Sequence, residues 1–210
     1  KLVKEPLQSV SIERVTSELT KLLVSKNSYY GLSHMMNSFV FPTFIPELSS
    51  LNGVKQNRYH AYDVWEHTMR CVGAAFGGEH VRCAALFHDI AKPAVMGMHP
   101  ERNEPTFYNH ENVGAEMSDG IMRRLKFSNE TRERVSHLIK HHLIRYERNW
   151  SSSTVRRWVR SVGIENVEDI CKLAYADHAA KGPIEPEYEY DCILIDELQQ
   201  RVHEMKMKQE

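Results

Sequence analysis

Histidine and aspartate stand side by side at His88-Asp89, at the end of an apolar run that is typical of a helix. Another histidine, His67, precedes this pair, and Asp177 follows it at a distance. Imidazole nitrogens and carboxylate oxygens form the mixed ligand set that suits first-row divalent metals, whereas magnesium and calcium sites are mostly oxygen. These residues are therefore candidate ligands of a metal ion.

Further histidines could extend the site to a second ion. His110 follows the pair, and His141 and His142 are neighbours farther along the chain. If Asp89 bridged to a second ion held by His110 and by either His141 or His142, the two ions would lie about 3.5 to 4 Å apart. The alternative for these histidines is a helix-capping or surface role. Within the adjacent pair, we expect His142 to be the weaker candidate.

The chemistry expected of such a site is hydrolysis. A bound divalent cation lowers the pKa of its water from about 15.7 towards 7 and neutralises the charge of a phosphoryl oxygen. The same ion therefore holds the attacking hydroxide next to the phosphoryl group that it attacks. The ligand set accepts manganese, iron, cobalt, nickel or zinc, and we keep magnesium open as well. We expect one or two divalent ions at the site.

Three polar residues near these ligands are candidates for supporting roles. Lys92 follows His88 by one helical turn and could meet a phosphate as a point charge, or it could be a solvated lysine at a helix end. Asp63 lies four positions before His67 on a predicted helix, which favours orienting that imidazole over binding the ion; an exposed acid in a first turn is the alternative. His60 is an even choice between a substrate contact and a structural turn residue.

Apolar periodicity predicts that these residues are carried by helices, and it predicts almost no strand. Ser9 or Ser11 is a candidate N-cap of the first helix, and Ser128 is a candidate N-cap of a later one. Pro93 is expected to end the helix that presents His88-Asp89, and a loop is expected over residues 96–106. The predicted helices cover residues 11–24, 46–48, 62–76, 79–91, 110–125, 128–142, 154–162, 167–180 and 192–207, with a further apolar stretch at 32–41.

Composition bounds the class of protein. The chain has 210 residues, 41% hydrophobic and 26% charged, which is enough for a substantial core. A formal charge of -1 gives the chain no overall electrostatic attraction for nucleic acid.

The four cysteines form no CxxC pair, so we expect buried reduced thiols and a cytoplasmic location. No apolar run approaches the roughly 20 residues that cross a bilayer, so no membrane partner is expected.

Histidine, then His-Asp, then a distant aspartate, all on helices, resembles the HD superfamily of metal-dependent phosphohydrolases. The segments QNRYHAYDVWEHT (56–68), HDIAKP (88–93) and YNHE (108–111) are similar to the HD domain of bacterial tRNA nucleotidyltransferases and poly(A) polymerases. Residues 12–23 and 46–48 resemble the helical segment that precedes that domain. The resemblance implies an all-α HD-domain helical bundle (58–210) with an N-terminal helical lead segment (1–57).

The same resemblance implies hydrolysis of phosphate esters of nucleotides, of cyclic nucleotides such as 2′,3′-cyclic phosphates, or of RNA ends, through a metal-activated water. Asp89 and Lys92 are the residues expected to act in catalysis. The nucleotidyl-transfer head of the family needs an Asp-x-Asp motif and a glycine-rich loop, and neither occurs in these residues. We therefore expect a headless relative or a fragment. The alternative function is a non-catalytic body that binds tRNA or mediates dimerisation.

Arginines crowd the region after the histidine pair. They could receive RNA or a polyphosphate, or they could be the solvated face of a helix whose apolar side is buried. The three tryptophans are scattered, which favours packing over base stacking. The apolar N-terminal helices could form a surface for a homo-oligomer. The arginines in question are Arg145, Arg148, Arg156, Arg157 and Arg160.

Overall fold

The computed structural model describes residue 7 and residues 9–38, 40–183 and 187–207, and the regular structure of this part of the chain is helical apart from one two-stranded sheet. The predicted all-α class is confirmed. The helices are α1 (Ile12–Leu23), α2 (Ser28–Asn37), α3 (Val40–Phe44), α4 (Pro46–Ser49), α5 (Val64–Ala74), α6 (Glu79–Phe87), α7 (Lys92–Val95), α8 (His110–Arg124), α9 (Asn129–Lys140), α10 (Ser152–Val162), α11 (Val167–Ala180) and α12 (Glu187–Met207), with one 3-10 turn at Ile164–Asn166.

Serine hydroxyls begin several of these helices. The side chain of Ser11 accepts a hydrogen bond from the backbone of Arg14, and that of Ser128 accepts one from Thr131. Each bond satisfies one of the amide groups that a helix leaves free at its first turn. Of the two serines considered for α1, Ser11 is the cap, and the predicted cap Ser128 is confirmed for α9.

The helix before His88-Asp89 is shorter than predicted. It ends at Phe87, and residues 88–91 form a turn in which the backbone N–H of Lys92 donates to the carbonyl of Asp89 over 3.0 Å. Pro93 does not end this helix but lies in the first turn of α7. Proline is favoured there because first-turn amides have no intrahelical acceptor. The turn, and not a helix end, presents His88 and Asp89.

Residues 96–106 contain a small hairpin where a loop was predicted. Strand β1 (Gly97–Met98) pairs antiparallel with β2 (Pro105–Thr106), with Gly97 opposite Thr106 and Met98 opposite Pro105. Strands of two residues are too short to show apolar alternation, so sequence periodicity could not reveal them.

One hydrophobic core joins the N-terminal helices to the rest of the described chain. Leu23 of α1 and Leu32 of α2 are fully buried in the same cluster as Met69 of α5 and Leu138 of α9. Each such burial contributes about 1.5 to 3 kcal/mol. Helix α11 packs on both α5 and α6, and α9 packs on both α6 and α8. These contacts bring distant histidines and acids to one region.

The cysteines are free thiols, with Cys71, Cys83 and Cys171 buried and Cys192 half-buried. Burial raises the pKa of the Cys83 thiol and so keeps it protonated. None of the helices in the described ranges is both long and apolar enough to cross a membrane.

Candidate metal centre

Packing of α5, α6, α8, α9 and α11 brings six buried imidazole and carboxylate groups to one point. His67 lies on α5 and Asp177 on α11, whereas the remaining groups lie at helix ends or in the turn after α6. All six are classed as buried polar groups. They are His67, His88, Asp89, His110, His142 and Asp177.

His67, His88 and Asp89 form the first group, with ligand atoms all within 4.8 Å of one another. The Nε2 atoms of His67 and His88 are 3.3 Å apart. Oδ2 of Asp89 lies 3.5 Å from Nε2 of His67 and 3.3 Å from Nε2 of His88. Asp177 adds an oxygen, because its Oδ1 lies 2.9 Å from Nε2 of His67 and 3.6 Å from Nε2 of His88.

Asp89, His110 and His142 form a second group, whose ligand atoms also lie within 4.8 Å of one another. Nε2 of His110 lies 3.4 Å from Oδ1 of Asp89. The imidazole rings of His110 and His142 meet edge to face with centroids 5.2 Å apart. The two groups therefore share the carboxylate of Asp89.

Backbone hydrogen bonds orient three of the four imidazoles. His88, His110 and His142 each place Nδ1 at 2.7 to 2.9 Å from the backbone carbonyl oxygen three residues earlier. Such a bond needs a proton on Nδ1, which leaves the Nε2 lone pair free for a ligand. His67 differs, because in the described part of the chain its buried Nδ1 has no hydrogen-bond partner.

The donor set fits a divalent ion. Around an ion with ligand bonds of about 2.0 to 2.2 Å, neighbouring donor atoms lie about 3 to 3.5 Å apart. The Nε2 atoms of His67 and His88 lie 3.3 Å from each other and 2.9 to 3.6 Å from the nearest oxygens of Asp89 and Asp177. Nitrogen and oxygen donors in this ratio suit first-row metals.

The buried groups of this cluster shift one another's pKa values. Burial alone would lower the pKa of His88, but the carboxylates of Asp89 and Asp177 outweigh burial and raise that pKa to about 10. Against the opposing effect of burial, His88 and Lys92 hold the pKa of Asp89 well below its usual range. Burial, reinforced by His88 and His110, lowers the pKa of His142 to about 3. Without an added ion, His88 is therefore the protonated member and His142 is neutral.

Lys92 is buried beside Asp89. Its Nζ lies 2.6 Å from Oδ2 of Asp89 and donates a hydrogen bond of 2.6 Å to Oε1 of Gln56. The alternative of a solvated lysine at a helix end is wrong, because only 5% of Lys92 is exposed. Lys92 instead lines the cavity above the cluster of imidazoles and carboxylates.

Asp63 does not hydrogen-bond to Nδ1 of His67, contrary to the predicted orienting role. Its carboxylate caps α5, accepting from the backbone N–H of Glu66 over 2.8 Å and from that of Gly53 over 2.7 Å. The residue before the first helical position turns its side chain towards free amides, so the four-residue spacing does not bring it to His67. Asp63 thus fixes the start of the helix that carries His67.

The structure separates the adjacent histidines. His142 belongs to the second ligand group, whereas His141 is half-buried with its ring centroid 4.6 Å from that of His137. This placement reverses the expected order within the pair. Burial, followed by the charges of His137 and Lys140, lowers the pKa of His141 to about 4.

A cavity of about 450 Å³ opens above the cluster and is lined by Asp89, Lys92 and Asp177 among others. His60 lines it too, and its Nδ1 lies 3.0 Å from Oδ1 of Asn57 in the preceding turn. Burial, followed by the charges of Lys92 and His67, lowers the pKa of His60 to about 3. His60 therefore borders the cavity and contacts a residue of the preceding turn, and its contact with a substrate stays a prediction.

Sequence reasoning missed the residues at the rim of this cavity. Tyr59, Arg102 and Tyr108 line it without belonging to any predicted site. The available signal was proximity, because Tyr108 stands two positions before His110. A tyrosine in a turn has many ordinary explanations, so the sequence alone did not select it.

The crowded arginines do not form one surface. Arg145 lines the cavity, whereas Arg148 pairs with Glu197 over 2.7 Å. Arg156, Arg157 and Arg160 are exposed on α10. The tryptophans pack as predicted: Trp65 is in the core, and Trp150 and Trp158 lie against it.

Comparison with protein families gives two matches. Residues 58–194 match the family described as "HD domain". Residues 3–51 match the family described as "Probable RNA and SrmB- binding site of polymerase A". The first range contains all six clustered groups, and the second covers the N-terminal helices up to Leu51.

Several curated proteins are similar to this chain. A CC-adding tRNA nucleotidyltransferase of Thermus thermophilus is 32% identical over 199 residues, covering 90% of this chain and 45% of that protein. An A-adding tRNA nucleotidyltransferase of Deinococcus radiodurans is 30% identical over 177 residues, covering 81% and 40% respectively. A multifunctional CCA protein of Hahella chejuensis is 30% identical over 125 residues, covering 57% and 29%. The chain spans less than half the length of each of these relatives.

Proposed function

Because this chain belongs to the HD domain family, we propose that it is a metal-dependent phosphohydrolase whose ion is held by His67, His88, Asp89 and Asp177. The observation that carries the proposal is the meeting of these four side chains with 2.9 to 3.6 Å between neighbouring donor atoms. Without a bound cation, buried carboxylates and imidazole lone pairs this close need protons between them, and a divalent ion can take the place of those protons. A second ion, held by Asp89, His110 and His142, is part of the proposal.

A divalent ion, when bound, supplies an acidified water and a positive charge opposite the phosphoryl oxygens. The residues of the chain do the rest. The Nδ1 bonds of His88, His110 and His142 hold three Nε2 atoms towards the cluster. Lys92 carries a positive charge at the cavity wall, where a phosphate ester would enter. The six clustered residues are at most 9% exposed, and charges interact more strongly in a buried site than in water.

The proposed substrates are phosphate esters of nucleotides, cyclic nucleotides such as 2′,3′-cyclic phosphates, or RNA ends. A cavity of about 450 Å³ is within the usual range of small-ligand sites, about 300 to 1,000 Å³. The names of the relatives, which act on tRNA, favour a ribonucleotide over an unrelated phosphate ester.

A second candidate is a non-catalytic body that binds tRNA or mediates dimerisation through the N-terminal helices. The match of residues 3–51 to an RNA-binding region and the names of the relatives favour it. A body of this kind has no need of a full ligand set, whereas a hydrolase does. The six clustered groups therefore favour the enzyme. We also propose the division into a lead segment (1–57) and an HD domain (58–210), supported by the two matched ranges.

The test is hydrolysis by metal-stripped protein to which manganese, cobalt, nickel, magnesium or zinc is returned. The substrates are bis(p-nitrophenyl) phosphate, 2′,3′-cyclic AMP and 2′-AMP, and the variants are His88→Ala and Asp89→Ala. His141→Ala is the matched control, because it removes an imidazole that lies outside both ligand groups. We expect metal-dependent activity that both cluster variants lose and the control retains. No hydrolysis with any metal, or equal activity in all variants, would favour the binding body instead.

A further inference from the structure

Two tyrosine rings are exposed at the rim of the cavity that holds the metal cluster. Tyr108 is 76% exposed and Tyr59 is 40% exposed. Both line the cavity whose wall includes Asp89 and His110. A single exposed tyrosine on a protein surface needs no explanation. Two exposed tyrosines at the mouth of one cavity, above a cluster suited to phosphate chemistry, do need an explanation.

The backbone fixes Tyr108 close to the cluster. Tyr108 precedes His110 by two residues, so their Cα atoms lie within about 7 Å of each other. Asn109 between them has a φ of 66°, a left-handed conformation that asparagine adopts more readily than most residues. Within the described residues, the Tyr108 ring has neither a hydrogen bond nor a ring contact. A face of the ring is therefore free for a ligand.

A cation stands at the same cavity. Arg145 is exposed, lines the cavity and follows the ligand His142 by three residues. In the described part of the chain it has no carboxylate partner within salt-bridge distance. The cavity thus has a candidate metal cluster that could bind a phosphate and the guanidinium of Arg145, which could bind another negative charge. The rings of Tyr59 and Tyr108 line the same cavity.

We propose that Tyr108 is a specificity-determining residue that stacks against the nucleobase of the substrate, with Tyr59 as a second aromatic surface at the rim. The inference rests on the proposed function and names its substrate class: phosphate esters that carry a base. Nucleobases stack on exposed aromatic rings with little dependence on sequence. A base-free phosphate ester would reach the metal cluster but would gain nothing from Tyr108.

Paired substrates test this role. Adenosine 2′,3′-cyclic phosphate carries a base, and glycerol 1,2-cyclic phosphate presents the same five-membered phosphodiester without one. We expect Tyr108→Ala to raise KM for the adenosine substrate by about tenfold or more, with kcat little changed and with the glycerol substrate within about twofold of wild type. Tyr108→Phe keeps the ring and should behave as wild type. An equal loss on both substrates would show a structural role and overturn the proposal.

A binding measurement separates this proposal from the proposed function. Tyr108→Trp places a fluorophore at the rim, and its signal is taken as the difference from wild type under 2′-AMP titration. We expect saturable quenching by 2′-AMP and none by inorganic phosphate. If no substrate is hydrolysed but this quenching occurs, the proposed function fails and the stacking role stands. If hydrolysis occurs but neither the quenching nor the KM depends on the base, the proposed function stands and the stacking role of Tyr108 fails.

Discussion

The Nε2 atom of His110 lies 3.4 Å from Oδ1 of Asp89. The other oxygen of the same carboxylate lies 3.3 Å from Nε2 of His88. One carboxylate therefore lies between two imidazole groups, one from the turn after α6 and one from the first residue of α8. This sharing is what a bridging ligand between two ions requires, and it makes Asp89 the residue on which the site depends most.

Metal stoichiometry tests the second group. We expect the purified, metal-loaded protein to bind two divalent ions, and His142→Ala to bind one, because that variant leaves the first group intact. Inductively coupled plasma mass spectrometry on dialysed protein gives the ratio. His141→Ala is the matched control and should retain two ions. Equal ratios for the two variants would mean that the geometry does not distinguish the adjacent histidines.

Lys92→Met tests the role of the buried ammonium group. Methionine keeps the length and apolar stem of lysine but removes the charge 2.6 Å from Oδ2 of Asp89. We expect metal affinity to hold or rise, because a competing cation is gone, while kcat/KM for 2′,3′-cyclic AMP falls about 100-fold for want of a positive charge at the phosphate. Steady-state kinetics and metal titration give the two quantities. A fall in both together would instead assign Lys92 to shaping the ligands.

The pH dependence of metal binding follows from the charges of the cluster. The pKa of His88 is about 10 without an ion, so at neutral pH this imidazole is protonated and must lose its proton before it can bind a metal. We expect affinity to rise with pH by about tenfold per unit between pH 6.5 and 8.5. Calorimetry of manganese binding in two buffers of different ionisation enthalpy should also show proton release. A flat affinity over that range would contradict the protonated state of His88.

Asp63→Ala separates helix capping from ligand orientation. The carboxylate accepts from two backbone amides, Glu66 and Gly53, so its loss should lower the free energy of unfolding by about 1 to 2 kcal/mol. Metal affinity should stay within about twofold of wild type. Ser128→Ala, which removes a cap far from the cluster, is the control for a pure stability effect. A stable Asp63→Ala protein with weakened metal binding would restore the orienting role that the structure does not give it. Urea unfolding and metal titration provide both readouts.

Much of the fold was predictable because its signals are local. Apolar spacing and serine caps located α1 and α9, and Val167–Ala180 was predicted at the bounds the structure shows. The turn at residues 88–91 was not predicted, because Pro93 is equally suited to ending a helix and to the first turn of a new one.

Within the site, the order of residues in the sequence predicted which histidines and aspartates come together. It could not predict the directions in which their side chains point. Adjacent histidines at a helix end point in directions about 100° apart, and only the packing of α9 on α8 selects His142 over His141. The exposed ring of Tyr108 was beyond sequence for the same reason, because its direction depends on the positive φ of Asn109.

Anomalous diffraction from crystals of the manganese-loaded protein shows whether the four proposed ligands hold an ion. We expect a manganese peak within about 2.0 to 2.3 Å of Nε2 of His67 and His88 and of carboxylate oxygens of Asp89 and Asp177. A protein that hydrolyses phosphodiesters with manganese yet shows no peak among these four side chains would contradict that expectation.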